Sequence, residues 1–244
     1  KGMADPDAWA QEYELQWLDE ASSWLDYDLI GACEHPAAGI PGLYQGGPCF
    51  VGVDIAARND LFVIWVMELV GDVLWTREVI TRRRASFFEQ DQLLAEVMRR
   101  YHVVRCRMDQ TGMGEKPVED AKRRHGDSRV EGVLFSAAIK LDMATALKEA
   151  MQDRKARIPA GDVPLRADLH AIKKQVGVTG TPRLIADTDT DGHADRFWAA
   201  ALAVSAGQLT YQPYNYQPVP LGGGEDFDRD IVATGGFRAG KGIL

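Results

Sequence analysis

The chain predicts an α/β fold: a mixed sheet, three antiparallel strands followed by parallel ones, flanked by helices. Three observations lead there. Apolar runs at 50–56, 61–69 and 72–80 are separated only by short polar connections around Arg58-Asn59-Asp60 and Gly71-Asp72, lengths that suit antiparallel neighbours. Beyond residue 85 helical and strand periodicities alternate, as expected where parallel strands need crossover connections. No run of 18 apolar residues occurs and the N-terminus has neither the basic start nor the apolar centre of a signal peptide, so a soluble, intracellular chain with no membrane partner is expected.

Taken in order, Lys1-Gly2-Met3 reads as a remnant outside the fold. Residues 5–30 predict an acidic amphipathic helix, with Trp9, Tyr13, Trp17 and Leu18, then Ala21, Trp24 and Leu25, at helical spacing. Residues 31–49 hold three prolines and five glycines and read as a linker over a domain surface. After the meander, 86–101 predicts a helix capped by Ser86 with Phe87, Leu93, Leu94, Val97 and Met98 as its apolar face. A strand at 103–108 runs into Asp109; helices at 114–125 and 139–153 bracket a strand at 130–135. A short helix at 164–174, a hairpin of 175–178 with 183–186, and a small-residue helix at 194–206 complete the order. The division expected is thus 1–49 helix and linker, 50–207 main domain, and 208–244 a Pro/Gly-rich tail.

With 244 residues and 45% hydrophobic content, one domain-sized core is expected. The formal charge of −8 argues against a nucleic-acid partner until its distribution is read. Residues 1–50 hold 1 base and 9 acids and residues 211–244 hold 3 and 4, leaving 24 bases and 23 acids between. The bases there come in clusters: Arg82-Arg83-Arg84, Arg99-Arg100 with Arg105 and Arg107, Lys122-Arg123-Arg124, Arg154-Lys155 with Arg157, and Lys173-Lys174. Clusters of this kind either track a phosphate backbone or form solvated helix ends; convergence on one face decides between them. Cys33, Cys49 and Cys106 are odd in number and lack zinc-site spacing, so reduced thiols are expected.

The chemistry rests on carboxylates. Asp54 closes the apolar strand Phe50-Val51-Gly52-Val53, and a carboxylate there is costly unless a cation or hydrogen bonds meet it. Asp109 repeats the setting ahead of the loop Gln110-Thr111-Gly112-Met113-Gly114. If these two strands are neighbours, the carboxylates repel unless a cation lies between them. A third, Asp195, follows Asp187, Asp189, Asp191 and His193 and opens the small-residue helix, which can pack close to a sheet; Asp191 and His193 stand as supports. Three such carboxylates together bind divalent metal and cut phosphodiesters. A calcium loop over 187–191 is disfavoured, since Gly192 comes one position late and no glutamate closes it. The near-match to a phosphate loop at Gly235–Gly242 lacks the hydroxyl residue and the following helix.

In these residues the chain resembles the C-terminal nuclease domain of phage terminase large subunits, especially of Mu-like phages. The resemblance lies in Val51-Gly52-Val53-Asp54, Met108-Asp109-Gln110-Thr111-Gly112, Phe135-Ser136-Ala137-Ala138-Ile139-Lys140 and His193-Ala194-Asp195-Arg196-Phe197-Trp198-Ala199, with Gln11-Glu12-Tyr13-Glu14 and Trp17-Leu18-Asp19 similar to the segment joining motor to nuclease. It implies a ribonuclease-H-like fold in which Asp54, Asp109 and Asp195, with Asp191, hold two Mg²⁺ or Mn²⁺ ions. One ion would generate the attacking hydroxide and the other would stabilise the leaving 3′ oxygen. It further implies double-stranded DNA as substrate, contacted by Lys140, Arg82, Arg83, Arg84, Lys173 and Lys174. A terminase small subunit and portal protein are the implied partners of the longer protein, and the host cytoplasm during assembly the implied place. The motor of that longer protein would precede residue 1. A junction resolvase or integrase would share the same chemistry. A catalytically idle docking module and a sugar-kinase-like ATPase, the latter without its glycine-rich continuation, are the alternatives of other classes.

Overall fold

The computed structural model describes residues 23–56, 61–176, 182–186 and 194–208. They begin with a short helix α1 (Tyr27–Cys33), whose N-cap Asp26 accepts from Leu29 N. It leads into the two-residue strand β1 (Glu34–His35). The meander follows as β2 (Cys49–Asp54), β3 (Leu61–Val70) and β4 (Val73–Arg83). Then helix and strand alternate: α2 (Phe87–Arg100), β5 (Val103–Asp109), α3 (Glu115–His125), β6 (Val130–Val133), α4 (Ala137–Gln152) and β7 (Ala156–Pro159). A last group holds α5 (Val163–His170), a hairpin of β8 (Ile172–Val176) with β9 (Pro182–Ala186), and α6 (Asp195–Gln208). Ser86 and Ser136 cap α2 and α4 through their hydroxyls, as the sequence predicts for the first of them.

Seven strands form one sheet in the order β1-β7-β4-β3-β2-β5-β6. β2, β3 and β4 pair antiparallel, while β2 with β5, β5 with β6, and β4 with β7 pair parallel. Alternation of side chains then sorts the strands' residues into two cores. Phe50, Val63, Trp65 and Met67 pack against α1, α4, α5 and α6. Val51, Val53, Phe62, Ile64, Val66, Cys106 and Met108 pack against α2 and α3 on the other face. The central strands β2 and β3 are thus apolar on both faces, which is why they read as continuous apolar runs. Among the described residues no helix is long and apolar enough to cross a membrane.

The predicted mixed α/β sheet is therefore present, with four differences from the sequence reading. Of the helix expected over 5–30, residues 1–22 lie outside the described residues, and the described helix starts only at Tyr27, after Asp26. The stretch 31–49, read as surface linker, instead supplies core: Cys33, Ala38 and Cys49 are buried, and β1 extends the sheet through β7. Most of the glycines and prolines that suggested a linker fall after β1. β7 itself has no counterpart in the sequence reading, because four residues with one proline carry no usable period. Finally, Ile172, Lys173 and Lys174 belong to a strand and not to the preceding helix, since pairing with β9 overrides their helical spacing. The tail expected from residue 208 lies beyond the described residues except for Gln208, which ends α6.

Candidate active site

Parallel pairing of β2 with β5 matches Val53 to Met108, so Asp54 and Asp109 leave adjacent strands at the same end. Both point to the α6 face. For Asp54 the reason is alternation from Gly52, where an added Cβ would lie 2.0 Å from the Ala199 carbonyl oxygen and 2.5 Å from Ala203 N of α6. For Asp109 it is alternation from Arg107, whose guanidinium donates to Ser205 Oγ of α6 at 2.8 Å. Glycine at 52 is thus the slot that lets a helix of small residues rest directly on the strand.

That contact delivers the third carboxylate. Asp195, in the first turn of α6, accepts from Leu61 N through Oδ2 at 3.0 Å. Leu61 lies two residues before Val63, the residue paired with Asp54. Asp54 and Asp195 are buried, at 8% and 6% exposure, and Asp109 is half-buried. Ala194, directly before Asp195, sits buried at φ 59°; a left-handed alanine costs roughly 1–3 kcal/mol and marks a backbone held by its surroundings. Asp109 Oδ1 accepts from Thr111 N at 2.8 Å, and Thr111 Oγ1 accepts from Phe135 N at 3.0 Å, tying the loops after β5 and β6 together. Gly114 closes that loop where a side chain would strike the Asp109 carbonyl.

Three acids therefore reach one face and one end of the sheet from three separate segments. Asp191 and His193, expected as supports, lie outside the described residues. Among the described residues no group of three His, Cys, Asp or Glu side chains stands in ligating geometry. The donors present are hard carboxylate oxygens on adjacent strand ends, a set that suits Mg²⁺, Mn²⁺ or Ca²⁺ and not a thiolate-seeking metal. The cysteines are no part of it: burial raises all three thiols, Cys49 and Cys106 to about 12, so they stay protonated and inert.

The cations divide. Arg83 is the register partner of Leu61, on the carboxylate face, while Arg82 alternates away and donates to the Thr81 carbonyl. Arg84 follows at φ 58°. Lys140, in the first turn of α4, holds its Nζ 4.8 Å from the Trp198 ring and 5.3 Å from Phe135, one helical turn from Asp195; the two rings fix its ammonium by cation–π attraction. Lys173 and Lys174 lie on the separate β8–β9 sheet, where Lys173 bridges to Ser23. In the remaining clusters several members are paired: Arg100 with Glu78 and Glu96, Arg124 with Asp91, Arg123 with Asp120, Arg107 with Glu131.

Sequence reasoning missed the Leu61 amide, the Gly52 slot and the Phe135–Trp198 box around Lys140. Gly52 was the readable one, since a lone glycine in an apolar strand signals close backbone approach.

The chain matches the model of the terminase RNaseH-like domain family over residues 51–206. No match is found among curated proteins. Among solved structures it resembles the large terminase nuclease from thermophilic phage G20c with bound magnesium, at TM-score 0.62 and 17% identity, over 75% of this chain and 97% of that one. The same nuclease is also solved with cobalt and with zinc. The HK97 bacteriophage large terminase superposes at TM-score 0.58 with 14% identity, over 76% of this chain but only 43% of that one. The nuclease domain of the Thermus phage P74-26 large terminase gives TM-score 0.52 and 19% identity, over 64% of this chain and 78% of that one. At these identities the likeness to solved structures is one of fold.

Proposed function

The chain belongs to the terminase RNaseH-like domain family, whose model it matches over residues 51–206, and from that premise we propose that it is the metal-dependent DNA endonuclease domain of a DNA-packaging terminase large subunit of the Mu-like phage type. On this reading it cuts concatemeric viral DNA in the host cytoplasm during assembly, as part of a longer protein that works with a small subunit and a portal. The observation that carries the reading is the placement of Asp54, Asp109 and Asp195, from three segments, on one face at one end of the sheet.

Asp54 and Asp109 would hold divalent ions between adjacent strand ends, with Asp195 as the third carboxylate and Asp191 beside it. Mg²⁺ or Mn²⁺, two ions in all, would supply Lewis acidity to an attacking water and counter-charge to the leaving oxygen. The chain's own groups do the rest. The Leu61 N–H holds one oxygen of Asp195. The Thr111 N–H does the same for Asp109. Arg83 and the ring-held Lys140, flanking the acids, would take the phosphates on either side of the scissile bond. The related nuclease solved with magnesium, cobalt and zinc supports the use of a divalent metal.

The test is supercoiled plasmid with Mn²⁺ or Mg²⁺. Nicking and linearisation are expected from the wild type and lost in Asp54→Ala and Asp109→Ala. Wild-type cutting by both variants, folded and free of contaminating nuclease, refutes the assignment.

A further inference from the structure

Many arginines among the described residues meet an acid, but at one turn the positive charge exceeds the acids around it. Around residues 126–129, the turn that enters the edge strand β6, a cavity of about 170 Å³ is lined by Arg105, Lys122, Asp127, Ser128, Arg129 and Glu131. Glu131 is divided: Oε2 meets Arg105 at 3.2 Å and Oε1 meets Arg107 at 2.9 Å. Lys122 and Arg129 make no ion pair among the described residues, and Arg129 spends only its Nε, on the His125 carbonyl. Counting Arg107 behind Glu131, four cations face two carboxylates. Basic residues in the last turn of α3 offset the helix's partial negative charge, which accounts for Lys122. It does not account for Arg105, which comes from a strand, or for the free end of Arg129, which comes from the turn. The neighbouring His125 carries the same signature: burial lowers its pKa first, and the charges of Arg124 and Arg129 lower it further.

The position of this cavity ties it to the carboxylates. Arg105, Arg107 and Asp109 alternate along one face of β5. At roughly 3.3 Å per residue, Arg105 lies about 13 Å from Asp109, a span of about four nucleotide steps at 3.4 Å of axis per step.

We propose that this cavity is a phosphate pocket that takes one backbone phosphate of the DNA, about four nucleotides from the cut, with Arg105, Lys122 and Arg129 supplying charge and Ser128 a hydroxyl donor. The proposal rests on the nuclease reading above. It adds a direction to it: the duplex extends from the carboxylate end toward the β6 edge. The pocket is electrostatic and sequence-independent, so its loss weakens binding and leaves the cutting step alone.

The experiment uses the full chain and a short fluorescent duplex without divalent metal, titrated across a series of salt concentrations. Lys122→Gln with Arg129→Gln is expected to weaken binding about tenfold at low salt and to flatten the slope of log K against log salt by about 0.9, the change for one phosphate contact. In plasmid cutting the same variant raises KM and keeps kcat. Ser128→Asp, a change on an exposed turn, puts an acid in the pocket and is expected to weaken binding with an unchanged melting temperature. Inorganic phosphate should shift the Ser128 and Arg129 amide resonances of the wild type and not of the double variant. A double variant with wild-type affinity and slope overturns the pocket while normal cutting leaves the nuclease reading intact. Phosphate shifts without any effect on duplex binding assign the cavity to a free anion and overturn the DNA contact. A wild type that neither binds nor cuts duplex removes the nuclease reading and this proposal with it.

Discussion

Acidic side chains are buried at both ends of the β2–β3 pair, and they are handled in opposite ways. At one end Glu68, with no exposed surface, meets Arg77 Nε at 2.6 Å and accepts from Gln45 N and Gly47 N. Its charge is answered inside the protein, and the result is a latch that holds the 41–48 segment against β3 and β4. At the other end Asp54 and Asp109 emerge side by side and Asp195 arrives from α6, so acid is brought next to acid. Carboxylates gathered at one end of a sheet favour an added cation. An acid matched by an arginine is architecture; the acids at the other end make up the proposed site.

The largest expected effect is therefore at the latch and not at the site. Glu68→Ala leaves the Arg77 charge buried and strips the two loop amides, and breaking a buried pair from one side costs about 3–5 kcal/mol. At about 2–4 °C per kcal/mol for a chain of this size, the melting temperature should fall by about 10 °C, while plasmid cutting in the cold persists. A melting temperature unchanged within 2 or so degrees, on the order of a single kcal/mol, would mean that the pair is not what holds this end.

Next comes the slot under α6. Gly52→Ala puts a Cβ against backbone at Ala199 and Ala203 that cannot rotate away, so α6 must shift, at a cost of about 1–3 kcal/mol. Because Asp195 rides on that helix, Mn²⁺ affinity measured by calorimetry should fall by more than the loss of stability explains. If metal affinity is untouched while stability drops, Asp195 is not part of the site.

What the sequence made legible follows the same division. Elements with a strong period or a cap were readable: the apolar runs of β2 and β3, Ser86 before α2, the small-residue helix α6. Asp54 and Asp109 were readable as a pair because each ends an apolar strand. Features that depend on partners distant in the chain were not. Trp24 and Leu25 look like one face of a helix, yet they enter the core through contacts such as Trp24 Nε1 to the Ala144 carbonyl, 120 residues away. The Glu68–Arg77 latch is hidden because Glu68 stands in a run of apolar strand residues and nothing local names its partner. Among the basic clusters, spacing alone neither put Arg83 on the carboxylate face nor paired Arg100 with Glu78 and Glu96.

A smaller effect separates the two kinds of acid most directly. With divalent metal removed, Asp109→Asn relieves repulsion from Asp54 and should leave the chain as stable as the wild type or more so, by up to about 1 kcal/mol, the usual return on relaxing a functional site. Added Mn²⁺ should then raise the melting temperature of the wild type and not of the variant, since a ligand stabilises only the state that binds it. Glu68→Gln, by contrast, should lose stability with or without metal. Equal responses to Mn²⁺ from wild type and Asp109→Asn would remove Asp109 from the metal site.

The smallest effect lies at the far end of α3, where a buried base gives the reverse of the Glu68 case. His125 keeps its Nε2 buried without a partner, and its pKa is lowered by burial and then by Arg124 and Arg129. A histidine whose folded pKa lies below its unfolded value binds protons more readily when unfolded, so acid favours unfolding. Its contribution is intact above the unfolded pKa of about 6.5 and is lost progressively as pH falls from there to the lower folded value. Urea unfolding from pH 8 to pH 5 should therefore show the stability of His125→Asn declining less steeply than that of the wild type, with the two curves converging or crossing on the acid side. Parallel curves over the whole range would mean that the positive charge around residues 124–129 does not act on His125, and would weaken the case for an excess of cations at that turn.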